Sequence, residues 1–560
     1  MKKIFRQAIL GSVVLFGLTG CIQEAERMDG TVTEDQLADA PGVFDKFVNG
    51  LTADLVGSFK FGEDFPWDYG YPSFFLTHDV MGQDVVVDSD GDWYAAWYSC
   101  SVALGPHYLY CQLPMTYFYG WVNDCNKVIS LYKLSPDEQK KSGVGIAYAM
   151  RAMYYMDIAQ IWGTLPYAAD KSAPTAPIRS DENAATKHVA RATNEEMYAF
   201  ILSDLDNAER FIEGYTRENV YTPDLSVVYG LKARAYLLME NWENAEKYAK
   251  MAQTGYTMMT EEEYLSRTNG FNTPTSSWMF GLTFMDTHDN ITANDGDCSW
   301  GSQMILEVLP SQMGYAANYG LPKRIDAHLY STIPATDFRR KLFTDFALDE
   351  MDRETEKDAI IAELAKQSDV PEQIYESLAD KSDSKKIGGV SLKFRPKNGE
   401  HQNQYKAWTV SVPMMRVEEM KLIEIEAAGM QDEARGIQLL EEFAKTRDPQ
   451  YVYGKHKSDA YYNYSTGGFR NEVWWQRRVE LWGEGFSMYD IKRLQKGIIR
   501  SYAGTNHVEG YRWNVQQTPQ WMVHCFVQTE SNYNNLLVKN PTPVYTEPDS
   551  PEFIWPVVEE

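Results

Sequence analysis

The sequence predicts a predominantly α-helical chain, close to all-α, in which helical hairpins stack into a scaffold and a loop-rich lobe is inserted between them. Three observations lead to that fold class. Capped amphipathic runs fill residues 135–252, a second helical pair occupies 417–447, and the stretch between, about 255–410, is rich in Thr, Asn, Asp, Gly and Tyr with few amphipathic runs. Helices that bury one stripe each must pack on one another, whereas a long polar stretch between them belongs on the surface.

At the N-terminus Lys2, Lys3 and Arg6 precede an apolar run from Ala8 to Leu18 and then Leu18-Thr19-Gly20-Cys21. A run this short reads as a secretory signal, residues 1–20, and not as a membrane span. Small residues before a cysteine resemble the bacterial lipobox, which makes Cys21 the lipidated mature N-terminus and the membrane anchor. Residues 21–41, acidic and poor in apolar side chains, read as a tether, and 42–560 as the folded domain. No later stretch offers about eighteen uninterrupted apolar residues.

The first strong helix is expected at Ser135-Pro136-Asp137-Glu138, where Ser135 can cap and Glu138 completes a capping box. Val144, Tyr148, Ala152, Tyr155, Ala159 and Trp162 follow at helical spacing up to Gly163-Thr164-Leu165-Pro166. A second helix opens at Thr193 with Glu196 three residues on and closes at Gly214. Thr222-Pro223 starts a third, and Asn241 a fourth, with Ala245, Ala249 and Ala252 on one face. This last pair reads as a tetratricopeptide-like hairpin, its small residues permitting close packing. In the pair at 417–447 the break is expected at Gly429. Within the inserted lobe an acidic helical patch lies near 347–381.

Composition excludes several functions. The chain of 560 residues has 53 basic against 79 acidic side chains, a formal charge of -26, with no basic stripe to release counterions, so nucleic acid is not an expected partner. Nine scattered histidines include no H-E-x-x-H and no i, i+4 pair, and the cysteines show no paired C-x-x-C spacing; neither metal nor cofactor is expected. Asp88-Ser89-Asp90-Gly91-Asp92 resembles the start of a calcium loop, but Ser99 stands where the twelfth-position Glu belongs, so a solvated turn is expected. Nucleophile-elbow and phosphate-loop motifs are absent, and no catalytic residue is assigned. Of the five cysteines after Cys21, one pair could oxidise in an exported protein, with Cys100, Cys111 and Cys125 the nearest candidates, but the sequence does not choose.

Near the C-terminus Arg477, Arg478, Glu480, Glu484, Asp490 and Arg493 recur at helical spacings around Gly483 and Gly485. Opposite charges so placed can pair and lock a bend between two helices, a structural role. Together with the lipobox, three segments resemble the SusD/RagB family: Arg151-Ala152-Met153-Tyr154-Tyr155 running into Trp162-Gly163-Thr164-Leu165-Pro166; Arg416-Val417-Glu418-Glu419-Met420; and Gln476-Arg477-Arg478-Val479-Glu480-Leu481-Trp482-Gly483-Glu484-Gly485 with Asp490-Ile491-Lys492-Arg493. Gln476 and Ser487 depart from that pattern, which often has Glu and a basic residue there.

The resemblance implies a tetratricopeptide-like scaffold, an outer-membrane lipid anchor at the cell surface, and partnership with a SusC-like TonB-dependent transporter that receives an oligosaccharide. Glu24 and Glu26 look like the signal that routes such lipoproteins outward. Peptide capture on the same scaffold is the alternative; a surface glycosidase and a protein-binding adaptor are further classes. A sugar platform needs exposed aromatic faces beside polar side chains. Trp67 in Asp64–Tyr69, Trp93 and Trp97 in Asp92–Trp97, and Trp300 in Asn294–Trp300 are the candidates, although the i, i+4 spacing of Trp93 and Trp97 fits a buried helical face equally.

Overall fold

A computed structural model of the chain describes residues 34–555 except 59, 63–64, 88–90, 381–385, 458–466 and 546–547. The expected signal, Cys21, Glu24, Glu26, Asp64 and the Asp88-Ser89-Asp90 turn lie outside the described residues. The chain joins the body before the expected end of the tether: Glu34–Asp39 is already helical, with Ala38 buried and Lys127 reaching Glu34 at 2.6 Å.

Besides the short helices Glu34–Asp39 and Ala95–Tyr98, three longer helices precede the one expected first: α1 (Val43–Ala53), α2 (Tyr71–Val80) and α3 (Leu109–Leu134). Every residue of α2 is buried, so it lacks the polar stripe by which a helix is recognised, whereas α3 buries Leu113, Tyr117, Phe118, Trp121 and Cys125 on one side and carries Pro114 within it. Ser135 ends α3, its N–H bonding Leu131 O at 3.1 Å, because Pro136 pushes the residue before it out of helical conformation. The expected cap therefore falls to Asp137, which accepts from Gln139 N at 2.9 Å and opens the turn leading into α4 (Lys141–Trp162).

The next starts follow the sequence closely. Helix α5 (Asn194–Ile212) opens on the Thr193–Glu196 capping box, with both reciprocal bonds formed at 2.8 and 3.2 Å. Helix α6 (Leu225–Leu238) is capped by Asp224 and begins just after Thr222-Pro223, and α7 (Trp242–Ala252) is capped by Asn241. The acidic patch of the lobe becomes α8 (Lys357–Ser368). Helices α9 (Val417–Gln431), α10 (Glu433–Lys445), α11 (Gly468–Glu480), α12 (Ser487–Arg493) and the short α13 (Gln528–Tyr533) follow, and shorter helical turns such as Trp300–Met304 lie in the inserted lobe. Each of α3 to α6 packs on the next, α7 packs on α9, and α9 on α10, giving a tetratricopeptide-like stack.

Gly429 does not break the second pair. It lies inside α9, where a Cβ would stand 2.1 Å from the Phe469 ring, and one on Gly436 would stand 2.3 Å from the Gly429 Cα. Both positions need glycine so that α9, α10 and Phe469 of α11 can touch, and the chain reverses at Asp432.

The inserted lobe consists of short helices and loops around its own core of Leu306, Ile360, Leu364, Tyr375 and Leu392. It is tied to the scaffold by an antiparallel ribbon, Trp278–Thr283 with Ser411–Arg416, whose second strand runs directly into α9.

The C-terminal charges are buried and paired, but mostly not with one another. Within the motif Asp490 joins Arg477 and Arg493, each at 2.7 Å. The rest reach across the fold: Arg478 to Asp84, Arg493 to Glu426, Glu480 to Arg339 and Arg447, and Glu484 to Arg416 and Lys393. Burial pushes the Glu480 carboxyl up, yet Arg447, Arg339 and Arg416 together hold it well below the usual carboxylate range. Gly483 and Gly485, at φ 77° and 85°, turn the chain there, and Asp79 receives the Gly485 and Ser487 N–H groups at 3.0 Å each, fixing the start of α12.

Among the thiols, Cys111 does not meet Cys100 or Cys125. Its sulfur lies 3.4 Å from that of Cys525, with both residues buried.

Candidate functional site

Four loops of the inserted lobe and its neighbour meet over one buried indole, Trp408. Glycines let them do so: a Cβ on Gly301 would stand 2.3 Å from Trp408 Cγ, one on Gly314 2.8 Å from Cζ2, and one on Gly296 3.0 Å from Cε3. The backbone at Asn294, Asp295 and Gly296 is left-handed at three successive positions, φ 45°, 55° and 73°. Such conformations persist only where surrounding contacts enforce them, and they gather at binding sites. Here the enforcing contact is Gln404, whose Nε2 donates to Asp295 O at 2.6 Å and whose Oε1 accepts from Met313 N at 2.7 Å. Ser302 links the next two loops, accepting from Tyr315 N at 3.1 Å and donating to Asp297 at 3.3 Å.

Trp93, Tyr315, Tyr319 and Tyr405 stand on this frame with Asp295 and Asp297 beside them. Trp93 and Tyr315 meet edge to face at 6.3 Å, and Tyr315 and Tyr319 tilt together at 5.0 Å. Tyr319 and Tyr405 are 39% and 40% exposed, so ring surface remains for a ligand. The Tyr405 hydroxyl donates to Asp295 at 3.0 Å, and Tyr319 bonds Asp297. Trp93 is set by its neighbour Asp92, whose carboxylate takes Lys323 and the Tyr94 N–H, both at 2.8 Å.

Burial, with Asp295 adding to it, pushes the Asp297 carboxyl up to about 6 against the hydrogen bonds of Ser302 and Tyr319. Burial and the adjacent carboxylates likewise push the Tyr319 and Tyr405 phenols up, so both remain neutral donors at neutral pH. Aromatic faces beside carboxylate acceptors suit a neutral polyhydroxyl ligand: the rings meet C–H faces and the carboxylates take hydroxyl protons.

Of the four tryptophans expected here, only Trp93 belongs to the platform. Trp67, Trp97 and Trp300 are at most 1% exposed. Trp67 is stacked on Phe65 at 4.7 Å, Trp97 meets Tyr110 at 4.8 Å, and Trp300 is wedged between Phe75 and Phe394. They are core, because polar sequence neighbours do not stop a ring from turning inward. The stretch Asn294–Trp300 does contribute to the site, through its two carboxylates and not its indole. Tyr315, Tyr319 and Tyr405 were missed; their signal is a tyrosine flanked by Gly, Asn or Gln inside a loop-rich lobe. A cavity in the scaffold, lined by Tyr71, Asp157, Arg234 and Tyr489, holds only about 70 Å³, room for water and not for a sugar. Among the described residues no three His, Cys, Asp or Glu side chains converge as a metal site, and no helix is long and apolar enough to cross a membrane.

Residues 99–237, spanning α3 to most of α6, match a SusD-like family model described as starch-binding and associating with the outer membrane. The fold is similar to that of a SusD-like carbohydrate-binding protein from Bacteroides vulgatus, with a TM-score of 0.67 at 20% identity, covering 89% of this chain and 97% of that one. The fold is SusD-like. A second similar structure, surface glycan-binding protein A from Bacteroides thetaiotaomicron in complex with laminarihexaose, has a TM-score of 0.62 at 15% identity, covering 89% and 98% of the two chains. No curated protein matches the chain in sequence. Two of the segments named from the sequence converge in space, Arg416 and Glu418 belonging to the same buried ion network as Glu480 and Glu484, while Arg151 is held separately by Asp204 and Asp181 at 2.7 Å. Those motif residues are buried and ion-paired.

Proposed function

We propose that this SusD-like chain captures a neutral oligosaccharide on the Trp93–Tyr315–Tyr319–Tyr405 platform without cleaving it, and delivers it to a SusC-like TonB-dependent transporter. It would stand at the cell surface on a lipid carried by Cys21. The observation that carries this reading is the platform itself: partly exposed rings flanked by Asp295 and Asp297 on a rigid glycine-packed frame. The family description and the sugar-bound structure of a similar fold support it.

The experiment is calorimetric titration of the chain beyond residue 21 with a panel of neutral hexasaccharides, peptides in parallel, and product analysis of the sugars. Saturable binding of a neutral glycan, weakened about tenfold by Trp93→Ala or Tyr315→Ala and leaving the sugar intact, is expected, since one lost aromatic contact costs roughly 1–2 kcal/mol. Peptide binding with silence across the glycans would move the ligand to the peptide class, and sugar cleavage would overturn capture without turnover.

A further inference from the structure

A second concave surface lies away from the platform, between α3, the segment 177–187 and α13. It encloses about 600 Å³, within the range of small-ligand sites. Its chemistry is opposite in sign to that of the chain as a whole. Arg179 and Lys187 face it, and Glu530 is the one acidic residue in its lining. Glu530 is engaged by Asn534 at 3.2 Å, and nearby Asp181 is neutralised by Arg151 and Lys133. Arg191, behind the wall, is held by carbonyl and amide oxygens, among them Thr175 O, Trp162 O and Asn540 Oδ1, so it adds an uncompensated positive charge. In a chain of net charge -26 such a concavity is a local attractor for anions.

The remaining lining suits a sugar. Gln112, Thr116 and Asn123 bring amide and hydroxyl groups along the outer face of α3, and Tyr533 is 55% exposed with Lys187 over its ring at 5.2 Å. An exposed ring beside hydroxyl-binding groups and a cation is what a pyranose bearing a carboxylate requires: a C–H face, several hydroxyls and one negative charge.

We propose that this groove is a second glycan site, for an acidic oligosaccharide whose uronate carboxylate is held by Lys187 and Arg179 while a ring of the sugar lies on Tyr533. The site is independent of the platform and stands or falls separately from it.

The test is titration of the chain beyond residue 21 with trigalacturonate, with a neutral trisaccharide and hexaglutamate as comparisons. Trigalacturonate is expected to bind saturably and more weakly as salt rises. Lys187→Ala should lower its affinity about ten- to hundredfold, in keeping with loss of a charge-assisted hydrogen bond. Tyr533→Ala should lower it about tenfold, whereas Trp93→Ala on the platform should leave it unchanged. Lys187 and Tyr533 are exposed, so neither substitution threatens folding, and Arg179→Gln provides an independent second variant. Absence of trigalacturonate binding, or binding indifferent to both Lys187→Ala and Arg179→Gln, would overturn the proposal. So would hexaglutamate binding at this groove with trigalacturonate silent, which would assign the surface to an acidic protein segment.

Discussion

Alanine at Gly301 tests whether the platform depends on the frame beneath it. Gly301 sits in the short helix Trp300–Met304, so the backbone accepts alanine and the effect is one of space alone. The added methyl would lie 2.3, 2.4 and 2.5 Å from Cγ, Cδ1 and Cβ of Trp408, more than 1 Å inside the optimum carbon separation of about 3.5–4.0 Å. Trp408 is wholly buried and packed on two further glycines, so it has nowhere to swing and the loop must move instead. Overpacking of this kind costs about 1–3 kcal/mol, offset by the roughly 0.5–1 kcal/mol by which alanine is preferred to glycine in a helix. A net loss of about 1–2 kcal/mol is expected in urea unfolding. The displaced loop carries Ser302, and through it Tyr315 and Asp297, so affinity for the platform's ligand should fall about tenfold as well. Gly50→Ala is the control: it lies inside α1 with nothing within 4 Å of the new methyl, and should be neutral or slightly stabilising. If Gly301→Ala behaves like Gly50→Ala in both assays, the account of Trp408 as the support of the site is wrong.

Three other outcomes follow from named contacts. Glu480→Gln keeps the shape but leaves Arg339, Arg416 and Arg447 short of one buried negative charge, and should destabilise by about 3–5 kcal/mol in denaturant titration; a loss below about 1 kcal/mol would show that the network tolerates the deficit. Asp297 has its carboxyl raised from 3.8 to about 6, so the folded chain holds this proton more tightly than the unfolded one, and its contribution to stability declines as pH rises through that window. Its capacity to accept a sugar hydroxyl grows over the same window, so affinity should climb from about pH 5 to about pH 7 and the climb should vanish in Asp297→Asn. Mild oxidation should join Cys111 to Cys525 before any other pair, as their sulfurs lie 3.4 Å apart, and peptide mapping of the product would read it.

What the sequence made legible was whatever is written locally. The Thr193–Glu196 box, the Asn241 cap and the small-residue face of α7 depend on side chains within a few positions, and the structure forms each of them. Helix α2 escaped because burial on all sides removes the period that periodicity analysis needs, and α3 carries Pro114, a residue that ordinarily argues against a helix interior. Gly429 misled because a glycine that permits contact and a glycine that ends a helix look identical in one dimension. The C-terminal motif was legible as structural but its partners were not: Asp84 lies 394 residues from Arg478, and only the fold brings them together. The same applies to the site. Trp67, Trp97 and Trp300 sit among polar neighbours as Trp93 does, yet only Trp93 remains partly exposed, because the inward or outward turn of each ring is decided by packing against residues far along the chain.

Charge connects the two candidate surfaces. Asp295 and Asp297 give the platform a negative edge, and a ligand carboxylate about 4 Å from either would be repelled by roughly 1 kcal/mol in water-like surroundings and several-fold more where the rings exclude water. An acidic sugar unit is therefore disfavoured where a neutral one fits, and favoured in the groove of Arg179 and Lys187. The two surfaces share no lining residue, so a glycan that alternates neutral and acidic units and is long enough to reach both gains effective concentration at the second site once the first is filled. If both proposed surfaces bind as argued, a heteropolymer spanning them would be retained longer than a short neutral or a short acidic fragment, each of which would engage a single surface.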